Sequence, residues 1–112
     1  MSQITTHILD TTLGRPAAGV TIVLYEKSGP DWLEVARGFT NQDGRIPNLL
    51  NQELLLPLGV YRMNFDVQSY FEQRGVESFY PTVDIVFTIK TQEHYHVPLL
   101  LNPFGYSTYR GS

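Results

Sequence analysis

The sequence holds no cysteine. That removes disulfides, thiolate nucleophiles and cysteine-based metal sites, and it fixes no compartment. Positive charge is also scarce. Eight lysines and arginines stand against eleven aspartates and glutamates, for a formal net charge of −3. These basic residues are scattered, which argues against a nucleic-acid partner and against a polybasic membrane patch. No apolar run approaches the ~20 residues of a membrane-spanning helix. The opening "MSQITTHILD" lacks the basic and apolar regions of a secretory signal. Arg110-Gly111-Ser112 is not a peroxisomal address of the Ser-Lys-Leu type. A cytoplasmic protein is expected. Also missing are a glycine-rich phosphate loop after a strand and a Gly-x-Ser-x-Gly elbow. With no repeat, linker or low-complexity tract, residues 1–112 read as one domain. A chain of this length buries roughly two-thirds of its unfolded surface.

What is present is alternation with a period of two. In "TVDIVFTIK", Val83, Ile85, Phe87 and Ile89 face one way and Asp84, Thr88 and Lys90 the other, with Val86 breaking the pattern. That is a half-buried strand. "GVYRMNFDV" puts Tyr61, Met63, Phe65 and Val67 on one face, and "VTIVLYEK" is apolar on both, as a central strand would be. "ITTHILD", "DWLEVARGFT" and "HYHVPLLL" read as further strands. Pro98 lies in the last of these. It has no N–H to give a ladder, so an edge or a bulge is expected there. Turn signals recur at Leu13-Gly14-Arg15-Pro16, Gly29-Pro30 and Asp43-Gly44. The whole predicts an all-β sandwich or barrel. One segment differs. "SYFEQRG" has Ser69 three residues before Glu72, with Gly75 placed as a terminator. This predicts a short helix from about Tyr70 to Arg74 capped by Ser69. "PNLLNQELLLPLG" reads as a short strand followed by a buried loop.

Three histidines dominate the chemistry. His94 and His96 are two apart on a predicted strand and so share a face. Two imidazoles on one face can begin a metal site, with His7 the only other histidine to complete it. A neutral imidazole near pH 7 can also act as a general base without metal. His7 shares its strand face with Thr5 and Leu9, as many structural histidines do. Arg45 follows the tight-turn pair Asp43-Gly44, where a solvated charge is ordinary. The last residues are unusual for a chain end. Tyr106 and Tyr109 bracket Ser107-Thr108 in a strand-favouring pattern. Such a tail would bring Arg110 and a carboxylate at Ser112 to a defined place.

Three segments carry a specific resemblance: "THILDTTLGRPAAGV" (6–20), "TNQDGR" (40–45) and "HYHVPLLLNPFGYSTYRGS" (94–112), with "ESFYP" (77–81) beside them. They resemble the signature segments of the 5-hydroxyisourate hydrolases, the transthyretin-like enzymes of urate breakdown. The resemblance runs in order along essentially the whole chain and is weakest over 46–58. Tyr-Arg-Gly-Ser at 109–112 distinguishes these hydrolases from transthyretin, the hormone carrier on the same sandwich. The resemblance implies a transthyretin-like sandwich of two four-stranded antiparallel sheets with one short helix. It implies a homotetramer, a dimer of dimers, with active sites where dimers face each other. It implies that His7, Arg45 and His96 are catalytic and that Tyr109, Arg110, Gly111 and Ser112 bind substrate. His94 is left a lesser part, shaping the pocket or holding a neighbour. No cofactor and no metal are expected. The partner is a small-molecule substrate, neither nucleic acid nor membrane.

The implied reaction opens a ring amide of a planar purine derivative. His7 or His96 would take a proton from the attacking water and the other would protonate the leaving nitrogen, while Arg45 would meet the developing oxyanion. Two other classes stay open on the residues alone. One is a transthyretin-like binding module without catalysis, which loss of His7, Arg45 or His96 would favour. The other is a zinc hydrolase built on His7, His94 and His96, which a chelator would disable.

Overall fold

A computed structural model describes residues 2–112. Alternating apolar residues form two sheets that pack face to face. One has the order β2-β1-β7-β8, from Arg15–Pro16, Ile4–Asp10, Tyr95–Asn102 and Gly105–Thr108. The other has the order β4-β3-β5-β6, from Asp31–Phe39, Thr21–Ser28, Gly59–Asp66 and Val83–Ile89. The first sheet presses Ile4, Ile8, Val97, Leu99 and Leu101 inward against Ile22, Leu24, Tyr61, Met63, Phe65 and Ile85 of the second. β3, apolar on both faces, lies between β4 and β5. The expected transthyretin-like arrangement of two four-stranded sheets and one helix is therefore present.

One pairing departs from a purely antiparallel plan. β1 and β7 run parallel, in register from Ile4↔Tyr95 to Asp10↔Leu101. A parallel pair needs a long crossover, and here most of the chain supplies it. Thr6 adds a side-chain hydrogen bond across the pair, its hydroxyl donating to the Val97 carbonyl at 2.6 Å. Alternation then gives the pair two faces. Ile4, Thr6 and Ile8 are buried while Thr5 and His7 are only half-buried on the other side. Likewise Tyr95 and Val97 are buried and His96 half-buried. Pro98 sits in this interior strand rather than on an edge. Its carbonyl accepts from the Thr108 hydroxyl at 2.7 Å, just past Leu99↔Thr108, the last pair of the β7–β8 ladder. The missing donor thus falls where the ladder ends, and the bridge to the tail resumes only at His96↔Gly111.

The helix, α1, spans Val67–Gln73 and starts three residues before the expected point. Asp66, not Ser69, caps it: the Asp66 carboxylate accepts from the Ser69 N–H at 3.2 Å and from the Ser69 hydroxyl at 2.8 Å. A carboxylate at the strand end competes better for the free N–H groups than a hydroxyl one turn later. The expected terminator is in place. Gly75 has φ +68°, Gly75 N–H donates to the Glu72 carbonyl and Val76 N–H to that of Phe71, a Schellman ending. Tyr70 ties the helix to β1 by donating to the Asp10 carboxylate at 2.9 Å. Burial and that neighbouring carboxylate push the Tyr70 hydroxyl pKa up to about 12.

Residues 47–58 form turns and loop, without the short strand expected there. Leu49, Leu50 and Leu56 go into the core while Leu54, Leu55 and Leu58 stay exposed. Side chains replace a ladder: Leu50 N–H donates to the Ser2 hydroxyl and Leu56 N–H to the Gln3 side-chain oxygen Oε1. Ser2 and Gln3 are buried for that purpose. Among the described residues no helix is long and apolar enough to cross a membrane.

Candidate active site

The outer face of the β1–β7 pair carries the histidines. Thr5 and His7 project from β1, and His96 from β7, with His94 immediately before it. Two further stretches dock on opposite edges of this pair. Arg45 bridges His7, and Gly111 bridges His96, each as a single antiparallel contact. Four distant segments thus lie side by side in the order 45, β1, β7, 111.

The Arg45 stretch is held by Asn41. The Asn41 side-chain oxygen accepts from the N–H groups of Asp43 (2.9 Å) and Arg45 (3.1 Å), and its backbone N–H donates to the Arg45 carbonyl at 2.8 Å. This is an Asx turn of the kind that favours Asn before Asp-Gly. The Gly44 carbonyl accepts from Ile8 N–H at 2.9 Å, which fastens the turn to β1. Gly44 has φ +73°, and a Cβ there would stand 2.5 Å from the Ile8 carbonyl oxygen. Both backbone angle and close approach demand glycine.

The tail is set by a similar close approach. Gly111 N–H donates to the His96 carbonyl at 2.9 Å. A Cβ on Gly111 would come within 2.5 Å of His96 Cδ2, so the tail backbone lies flat against the imidazole. The four tail residues divide between two places. Ser112 lines the histidine cleft. Tyr109 and Arg110 turn to a separate groove between the tail and β6, where Arg110 pairs with the Glu93 carboxylate and covers the Tyr95 ring at 4.5 Å.

The histidine cleft has a volume of about 540 Å³ and is lined by Thr5, Asn41, Asp43, Arg45, His94 and His96, among others. His7 adjoins it through its bridge to Arg45. Its electrostatics are those of neutral imidazoles beside a fixed cation. Burial and the Arg45 guanidinium lower the His96 pKa, helped by His94 and His7, with a hydrogen bond to the Thr5 backbone carbonyl opposing. Burial and Arg45 also lower that of His7, with the Asp43 carbonyl and carboxylate opposing. Neutral imidazole, with one nitrogen free to accept a proton, is therefore the resting form at pH 7. Among the described residues no group of three His, Cys, Asp or Glu side chains forms a metal-binding cluster.

Sequence reasoning named His7, Arg45 and His96, and the fold brings these three together. It passed over two residues. Asn41 was legible in principle as the Asx-turn residue of "TNQDGR". Thr5 was noticed only as a neighbour of His7; its hydroxyl lies 2.7 Å from His94 Nε2 and 2.8 Å from His96 Nδ1. Only the parallel register, Thr5↔His96, reveals that contact.

The model of the HIUase/Transthyretin family matches residues 4–111. The 5-hydroxyisourate hydrolase of Mus musculus is 48% identical over 114 residues, covering 99% of this chain and 96% of its own length. Among solved structures, the Klebsiella pneumoniae 5-hydroxyisourate hydrolase aligns with a TM-score of 0.86 at 38% identity, over 97% of this chain and 98% of that one. Sea bream transthyretin in complex with thyroxine aligns with a TM-score of 0.91 at 33% identity, over 98% of this chain and 95% of that one. The chain belongs to the HIUase/Transthyretin family. Backbone shape alone does not separate the two branches of that family, because function resides in the site.

Two tests follow from the geometry. Gly111→Ala should displace either the tail or the His96 ring and so shift the His96 imidazole signals in NMR; unchanged signals would contradict the packing. Arg45→Met removes a cation that lowers the pKa of both His7 and His96. Their NMR titration midpoints should both move up, and static midpoints would show that the guanidinium does not face them.

Proposed function

We propose that this chain hydrolyses 5-hydroxyisourate to 2-oxo-4-hydroxy-4-carboxy-5-ureidoimidazoline in urate catabolism. The observation that carries the reading is Arg45 and His96 in one cleft with His7 beside them, in a chain so similar to hydrolases along its whole length. Water is a weak nucleophile at neutral pH, and a positioned base addresses that. His7 or His96 removes a proton from water as its oxygen attacks the ring carbonyl. The other imidazole gives a proton to the departing ring nitrogen. Arg45 stands where negative charge grows on the carbonyl oxygen, as a preorganised donor that needs no reorientation. Its planar fork also suits two substrate oxygens at once. Tyr109 to Ser112 belong to the same proposal as substrate-binding residues, Ser112 from within the cleft, Gly111 against His96, and Tyr109 and Arg110 from the adjoining groove whose lining also includes His96. No cofactor or metal enters it. The domain is taken as residues 1–112 and its location as cytoplasmic.

The lowered histidine pKa values favour this chemistry. A base must be unprotonated, so activity is present above the lowered pKa and is lost as pH falls through it. That places the acid limb of kcat/KM below the ordinary imidazole value of about 6.5.

Assembly forms part of the proposal. Each sheet has two edges, β2 and β8 in one and β4 and β6 in the other, and exposed edges need cover. Pairing of edges across two-fold axes, first into dimers and then into a homotetramer, supplies it.

The decisive experiment follows freshly made 5-hydroxyisourate by ultraviolet absorbance with and without the protein. Accelerated decay is expected, undiminished after dialysis against a chelator. His7→Asn and His96→Asn should each lower kcat by about 10²-fold or more with the fold intact. No acceleration would leave a small-molecule binding protein of the transthyretin kind, and a zinc-restorable loss would point to a metal hydrolase. Light scattering at micromolar concentration should find four protomers of 12.8 kDa each; a monomer would contradict the proposed assembly.

A further inference from the structure

His94 has no part in the chemistry above, yet it is tied into the site. The Thr5 hydroxyl bridges His94 Nε2 at 2.7 Å and His96 Nδ1 at 2.8 Å. The two rings lie nearly parallel, 6.3 Å apart with planes at 24°. A hydroxyl has one proton to give and lone pairs to receive. Two neutral rings can satisfy both contacts in only two ways. In the first, Thr5 donates to His94 and His96 Nδ1–H donates to Thr5. Both rings then carry their proton on Nδ1, and His96 Nε2 is a bare lone pair. In the second, Thr5 donates to His96 and His94 Nε2–H donates to Thr5. Both rings then carry their proton on Nε2, and His96 presents a proton instead. The tautomers are locked together, and the first state makes His96 a base while the second makes it an acid.

We infer that Thr5 is a positioning residue that couples His94 to His96 and passes a proton between them, so that His96 alone can serve as base and then as acid. The inference rests on the hydrolytic reading above and resolves its choice of base. The cycle starts with both rings protonated on Nδ1. His96 Nε2 takes a proton from water as the water oxygen bonds to the ring carbonyl carbon. The His96 Nδ1 proton moves to Thr5, and the Thr5 proton moves to His94 Nε2. Positive charge has left the ring beside Arg45 and rests on His94. His96 is neutral again, with its proton on Nε2. When the ring C–N bond breaks, the electron pair goes to nitrogen and the Nε2 proton follows it. The two relay protons then return. One water proton ends on the amine nitrogen, the other stays on the new carboxyl group, and the network is restored.

The surroundings give the relay its direction. His96 is faced by Thr5 and His7 from β1, Arg45 from the turn, His94 from its own segment and Ser112 from the tail, with Asp43 on the His7 side. Three of these groups are cationic or can become so. Arg45 and His7 both disfavour a positive charge held on His96, and the Thr5 hydroxyl offers it a way out to His94.

The test uses the intact protein labelled with 15N-histidine, without substrate, and then its kinetics. In the wild type above the histidine titrations, both rings should report the same tautomer, since imidazole 15N shifts distinguish the two. Thr5→Val keeps the branched shape and removes the hydroxyl, so the rings should lose that agreement. Its kcat should fall by about 10²-fold with KM within about twofold, and Thr5→Ser should recover most of the loss. His94→Gln keeps a hydrogen-bonding group but cannot hold the charge, and it should lower kcat with little change in KM. Opposite tautomers on the two rings of the wild type would overturn the coupling. Native kcat in Thr5→Val would overturn the relay. A wild type inert toward 5-hydroxyisourate would instead overturn the hydrolytic reading and the relay with it, while the NMR result would still decide whether the tautomers are linked.

Discussion

The parallel pairing of β1 with β7 is the constraint on which the site depends. Its register sets Thr5 opposite His96 and His7 opposite Pro98. Everything else at the cleft is attached to that pair from its two edges, Arg45 to β1 and Gly111 to β7. The inward face of the same residues supplies Ile4, Ile8, Val97 and Leu99 to the core. Core and site are therefore the two sides of one alternation, and hydrophobic burial on one side fixes geometry on the other. This is how a chain without cysteine holds imidazoles from distant parts of the sequence in place.

Two glycines make the attachments possible, and they do so by different means. Gly44 is needed for its backbone angle and because the Ile8 carbonyl occupies the space of a side chain. Gly111 has no unusual angle; it is needed only because the His96 ring lies against it. The cation delivered by one attachment and the backbone wall delivered by the other act on the same imidazole. Burial and Arg45 lower its pKa, and the tail backbone packs against it.

Much of this was legible from residue order. Alternation identified β5 and β6, because a sheet with one buried face must repeat every second residue, while apolar content and turn signals identified β1, β3, β4 and β7. The family resemblance singled out His7, Arg45 and His96, which the fold brings near one another. What escaped detection was long-range or competitive. The parallel direction of β1–β7 leaves no mark on either strand, since it depends on how the intervening chain crosses over. Thr5 looked like any strand threonine until the register put it between two imidazoles. At α1 two capping groups compete for the same N–H groups, and the carboxylate of Asp66 prevails over the box that Ser69 and Glu72 suggest. Over 47–58 the leucines have no clean period, and in place of the short strand expected there the backbone finds partners in the side chains of Ser2 and Gln3.

The two-sided alternation also governs how this protein can fail. A slip of one residue between β1 and β7 would turn Thr5 and His7 inward and expose Ile4 and Ile8, so a misregistered chain would lose its apolar core and its imidazole cluster in the same event. Folding intermediates that pair these strands wrongly have no route to partial function. Quality control is thus built into the geometry: any molecule that assembles the imidazole cluster has already brought β1 and β7 together in the correct frame.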